Sequence, residues 1–199
     1  MSRSSPQIHA FVEVDGHVDG SWPQLPPQPW PTVVRLERST CLSDVALVVA
    51  VGSSYGRNSE TPATSGRDLV SDFPAILPGG LGVVAEDQQI LPGCCCGLEA
   101  WRDWLNILPD GRAPWTGHDP APLVEATSTV IRVWPDDVDC DHPGVAPIVF
   151  TRDEFEHALA AAADDLAGFL IPLESWLRTN TPSEATVLLA KFAENFVAR

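Results

Sequence analysis

Lysine is almost missing from this chain. Lys191 stands alone beside eleven arginines, and the twelve basic side chains face 27 acidic ones, for a formal net charge of −15. That shortage of positive charge argues against nucleic acid as a direct ligand, because phosphate binding is carried by Lys and Arg contacts. Also absent is any apolar run near the ~18 residues that a membrane span requires. Met1 to Gln7 holds no apolar core of the kind a signal peptide carries, so a cytoplasmic protein is expected, without membrane association. An even complement of cysteines is missing too. Five thiols cannot all pair within one chain, and in a reducing compartment free thiols are expected, with metal or redox use as the exception.

What is there suffices for a substantial core. At 199 residues and 44% hydrophobic, the chain reads as a single domain over residues 8–199, preceded by a short flexible tail, 1–7. Strands are expected at Ile8–Val14, Thr32–Leu36 and Leu42–Val51, the last continuously apolar after Asp44 and therefore read as a strand buried on both faces. The proline-rich stretch Trp22–Pro31 excludes helix and ladder alike and reads as extended chain. Gly52 to Ser71 is polar and rich in turn residues, which suggests a long loop. Val83-Val84 and Gln89-Ile90-Leu91 suggest a hairpin, and Thr127–Trp134 with Ala146–Phe150 two further strands joined by an acidic loop.

Helical spacing relates Leu98, Trp101, Trp104, Leu105 and Leu108, and Pro109-Asp110-Gly111 ends that pattern. Thr151-Arg152-Asp153-Glu154 is a capping box opening a helix with Phe155, Leu159, Ala162, Leu166, Phe169, Leu170, Leu173 and Trp176 on one face; Pro172 predicts a kink in it. Thr181-Pro182-Ser183-Glu184 repeats the capping logic before a last helix. The expected class is α+β: an antiparallel or mixed sheet of about five to seven strands packed by C-terminal helices.

The unusual feature is Gly93-Cys94-Cys95-Cys96-Gly97. Cys94 and Cys96, taken with Cys140 and His142 in the acidic loop, have the number and type of ligands of a tetrahedral zinc site, although one-residue spacing wraps a metal poorly. The same run suggests a reactive thiol at Cys96, stabilised as thiolate by the following helix N-terminus and served by His118 or His142 as base. The default expectation for the run is plainer: three small, buried, inert residues in a tight turn packing beneath Trp101.

Other motifs fall short of their chemistry. Gly52-Ser53-Ser54-Tyr55-Gly56 fits a nucleophile elbow, but no helix is expected after it. Gly80 to Ala85 fits a dinucleotide fingerprint, yet β-formers follow and a turn into a hairpin is expected. Asp137, Asp139 and Asp141 occupy the first positions of a calcium loop, with His142 where glycine is needed and Ile148 where glutamate is needed.

Residues 121–199 hold thirteen of the acidic side chains against five basic ones, and Trp115-Thr116-Gly117-His118-Asp119 sets an aromatic beside a His-Asp pair in an irregular segment. These point first to a non-enzymatic acidic protein of the inhibitor or immunity type. It would bind another protein with a basic surface through Trp115, His118, Asp119, Asp136, Asp137, Asp139 and Asp141, with no catalytic residue and no cofactor. The alternative is a metal protein or thiol-dependent enzyme built on Cys94–Cys96, with zinc as its metal.

Overall fold

A computed structural model describes residues 5–14, 22–25, 32–55, 61–74, 76–86, 88–136 and 145–196. The fold is α+β. Its strands are β1 (Gln7–Glu13), β2 (Val33–Leu36), β3 (Gly79–Ala85), β4 (Gln88–Ile90), β5 (Leu123–Ala126), β6 (Val130–Trp134) and β7 (Ile148–Thr151). Its helices are α1 (Leu42–Ser54), α2 (Gly66–Ser71), α3 (Ile107–Asp110), α4 (Arg152–Asn180) and α5 (Ala185–Phe196), with a 3-10 helix, Leu98–Asn106, running into α3. The strands form not one sheet but two, in the orders β2-β1-β3-β4 and β5-β6-β7. No helix among the described residues is long and apolar enough to cross a membrane.

The chain divides into two compact units, Met1–Phe11 with Gly79–Asp164 and Val12–Pro78 with Asp165–Arg199. In the first, β5, β6 and β7 pair antiparallel, and Ile131 and Val133 oppose the equally buried Phe150 and Ile148. Residues of one parity face the core, as the two-residue period of a half-buried strand requires. Phe155, on the first turns of α4, meets Phe150 edge-on at 5.6 Å and stacks on Trp104 at 6.3 Å. In the second unit the α5 ring Phe192 meets Phe73 edge-on at 4.8 Å, and Phe196 meets Phe169 of α4 at 5.6 Å.

The first capping box is present: the Thr151 hydroxyl accepts from the amide of Glu154 (3.2 Å), whose carboxylate accepts from the amide of Thr151 at 2.8 Å. The second is not formed: the Thr181 hydroxyl donates to the Glu184 carboxylate at 2.7 Å, but the amide of Glu184 donates to the backbone carbonyl of Thr181, that of Thr181 to Leu177, and α5 begins only at Ala185. Helix α4 is a single element of 29 residues with Pro172 inside it.

Several expectations change. Leu42–Val51 is helical, not a central strand: every residue from Val45 to Ser53 is buried, and an element enclosed on all sides loses the periodicity that separates helix from strand. The ten residues from Leu42 to Val51 already exceed the roughly eight of a usual buried strand, and the helix extends them to thirteen. The elbow motif is thereby spent on the last turn of α1, where the buried Ser53 hydroxyl donates to the carbonyl of Val49 at 3.0 Å. Within the expected Gly52–Ser71 loop lies α2, capped by Ser65, which accepts from the amide of Asp68 at 3.3 Å.

The tryptophan segment winds as a 3-10 helix, and its buried residues are Leu98, Trp101, Trp104 and then Ile107, a strict three-residue step. Leu105, assigned to the apolar stripe by α-helical spacing, is accordingly exposed. Thr127–Thr129 is a turn joining β5 to β6, closed by the Thr127 amide donating to the carbonyl of Val130 at 2.9 Å.

Candidate functional site

Two backbones pressed together build the site. Gly93 donates to the carbonyl of Thr116 at 2.7 Å, Cys94 donates to the carbonyl of His118 at 2.8 Å, and His118 donates back to Cys94 at 3.1 Å. The approach is possible only for glycine. A Cβ on Gly93 would lie 1.8 Å from the carbonyl oxygen of Pro120, and one on Gly117, whose φ is +91°, would lie 2.4 Å from the carbonyl oxygen of Gly93. Gly93, which opens the cysteine run, and Gly117, which faces it, are therefore contact residues, holding residues 93–94 against the loop 115–120.

That contact brings Cys94 and His118, 24 residues apart in sequence, side by side: Sγ lies 2.9 Å from Nδ1. The two groups share one proton, carried either as S–H donating to a neutral imidazole or as N–H donating to a thiolate. Asp119 adds a carboxylate oxygen 3.4 Å from the same nitrogen. It lies on the side of the ring that faces Cys94 and does not hold the imidazole from the far side as the third member of a triad does. Trp115, an exposed side chain, sets its ring edge toward His118 at 6.2 Å.

Cys95 completes the group. Its φ of +62° is left-handed, a conformation that costs a non-glycine residue about 1–3 kcal/mol and is found chiefly where a site needs it. Neighbouring side chains of an extended chain point to opposite faces. Here the turn carries the second thiol round, so that the sulfurs of Cys94 and Cys95 and a ring nitrogen of His118 lie within 4.8 Å of one another.

Cys96 stands apart from that convergence. It is 5% exposed, donates weakly to the carbonyl of Trp115 at 3.8 Å, and ties the 3-10 helix to the loop that carries His118. Burial pushes its thiol up to about 12, helped by the carboxylates of Glu99 and Asp103. A thiol held protonated is a poor nucleophile at neutral pH, so the helix N-terminus does not activate Cys96. Cys140 and His142 lie outside the described residues, as do Asp137, Asp139 and Asp141. Of the expected four-ligand zinc set, only Cys94 joins the cluster among the described residues, and of the expected binding residues His118 does, with Trp115 and Asp119 beside it. Sequence reasoning missed the partnership of Cys94 with Cys95 and His118; its one local signal was the glycine pair Gly93 and Gly117.

No family model, curated protein or solved structure matches the chain.

Proposed function

We propose that the protein acts through a reactive thiol, Cys94, with His118 as its proton acceptor, in the manner of a thiol-dependent enzyme. The observation that carries this is the 2.9 Å approach of Sγ to Nδ1, which meets the hydrogen-bond criterion for a nucleophile and its base. The proton passes from sulfur to Nδ1. The thiolate then forms a bond to an electrophilic centre, and the departing group takes the proton back from the imidazolium.

Two other thiols serve as internal references: Cys41 is exposed and remote in sequence, and Cys96 is buried. In reduced protein with a chelator present, iodoacetamide at neutral pH is expected to label Cys94 at least about tenfold faster than Cys41, as mass spectrometry of timed samples would show, because the thiolate and not the thiol reacts. His118→Gln should erase that advantage. Equal rates at Cys94 and Cys41 in the unaltered protein would remove the basis for the proposal.

Exposed Trp115, at 56% of its free surface, favours a second reading in which this acidic protein meets a basic protein partner. Large aromatics left in solvent beside polar groups are common anchors of interfaces. A cationic polypeptide should shift the Trp115 fluorescence, measured as the difference from Trp115→Phe, and the shift should weaken above ~0.1 M salt, where the Debye length is ~10 Å. No shift at low salt would count against it.

A further inference from the structure

We infer that Cys94, Cys95 and His118 form a site for one thiophilic divalent cation of the zinc class, and that its occupation caps the Cys94 thiol. The capping rests on the thiol function proposed above; the binding does not. Tetrahedral zinc with bonds of about 2.3 Å to sulfur and 2.0–2.1 Å to nitrogen places its donor atoms roughly 3.5–3.8 Å apart. The three donors already lie within 4.8 Å of one another, and the Cys94–His118 pair, now 2.9 Å apart, has to open by well under an ångström. The ion would replace the shared proton. Two sulfurs and an imidazole are the donor set that zinc and softer ions take in preference to magnesium or calcium, which require oxygen.

Three further features suit a cation. The backbone under the donors is fixed by the Gly93–Thr116 and Cys94–His118 hydrogen bonds, so little ordering is left for binding to supply. The left-handed turn at Cys95 brings its sulfur to the cluster. The site also faces water, with Cys95 and His118 exposed and Cys94 half-buried, so an ion can enter and a water can take the fourth position.

Binding would displace protons, two thiolates replacing two thiols, and would leave Cys94 unable to attack an electrophile. A resident ion would thus keep the thiol silent until a chelator removes it.

The test uses the full chain, reduced and stripped with a chelator. Cobalt(II) is added as an optical probe, and zinc affinity is measured by competition with a chromogenic chelator. One equivalent of cobalt is expected to give a thiolate charge-transfer band. Loss of even an outer-shell partner typically weakens metal sites 10–100-fold, so Cys95→Ser, Cys95→Gly and His118→Gln should each weaken zinc by at least about tenfold. Cys41→Ser should not, and zinc should protect Cys94 from iodoacetamide. Cys95→Gly guards against a folding artefact, since glycine accepts the positive φ.

Absence of the band, or unchanged zinc affinity in the Cys95 and His118 variants, would overturn the site, as would dependence on Cys140 or His142 without dependence on Cys95. The two proposals fail separately. Fast labelling of Cys94 without zinc binding removes the metal site alone, and zinc binding with ordinary Cys94 reactivity removes the thiol function and the capping.

Discussion

Replacing Gly93 by alanine is expected to unmake the site from its backbone outward. The added methyl would sit 1.8 Å from the Pro120 carbonyl oxygen and 2.8 Å from both the amide nitrogen and the carbonyl oxygen of His118. These are backbone atoms, so no rotamer change relieves the clash. To reach the 3.4 Å of ordinary contact from 1.8 Å, the two segments must part by about 1.6 Å. A separation of that size carries the bonds of 2.7, 2.8 and 3.1 Å that join Gly93 and Cys94 to Thr116 and His118 out of hydrogen-bonding range.

Three backbone hydrogen bonds at roughly 1 kcal/mol net apiece, with about 1–3 kcal/mol for overpacking, give a loss of about 4–6 kcal/mol. For a chain of this size that corresponds to a fall in Tm of about 8–24 °C. Gly111→Ala is the comparison. Gly111, unlike Gly93, is left-handed, at φ +64°, and its Cβ would meet nothing within 4 Å, so only the conformational cost of about 1–2 kcal/mol applies. Thermal unfolding of both variants, with alkylation of Cys94 relative to Cys41, checks the reasoning. If Gly93→Ala melts with Gly111→Ala and Cys94 keeps its rate advantage, the glycine contact does not hold the site together.

Further outcomes are expected elsewhere. Thr151→Ala should cost about 1 kcal/mol as a lost cap, read from the unfolding midpoint. The Thr151 amide, and then its hydroxyl, hold the Glu154 carboxyl below its ordinary 4.5. A lowered carboxylate stabilises the fold above its unfolded value and loses that contribution as pH falls through the folded one, so the Thr151→Ala difference should shrink on acidification below about 4.5; a constant difference would sink this assignment. Phe155→Ala and Phe169→Ala, both fully buried, should each lose about 3–5 kcal/mol, and a denaturant midpoint showing under 1 kcal/mol would place those faces wrongly. With its thiol at about 12, Cys96 should resist alkylation at pH 8 while Cys41 reacts, and become equally reactive in denaturant; native labelling of Cys96 would contradict its burial.

Several elements were legible because their signals are local. Thr151 and Glu154 are three residues apart and cap each other regardless of what surrounds them. Gly111 ends α3 through its own left-handed backbone. The alternation of Ile131 and Val133 with outward neighbours marks β6 directly. The limit appears at Leu42–Ser54, where burial on every side erases the pattern, and at Leu98–Ile107, where a three-residue and a 3.6-residue period cannot be separated over so few turns.

By itself, then, the sequence determined the α+β class, the capping box at Thr151, the hairpin of β3 and β4 and the presence of an unusual thiol run, since each is written in neighbouring residues. Only the tertiary structure decided which thiol matters. Cys94 and not Cys96 meets His118 because the segment around Gly117 folds back against Gly93, and Cys96 turns into the core, where losing water keeps its proton on. The partners are 24 residues apart and their meeting depends on a backbone contact that admits no side chain. Spacing along a chain does not encode such a contact.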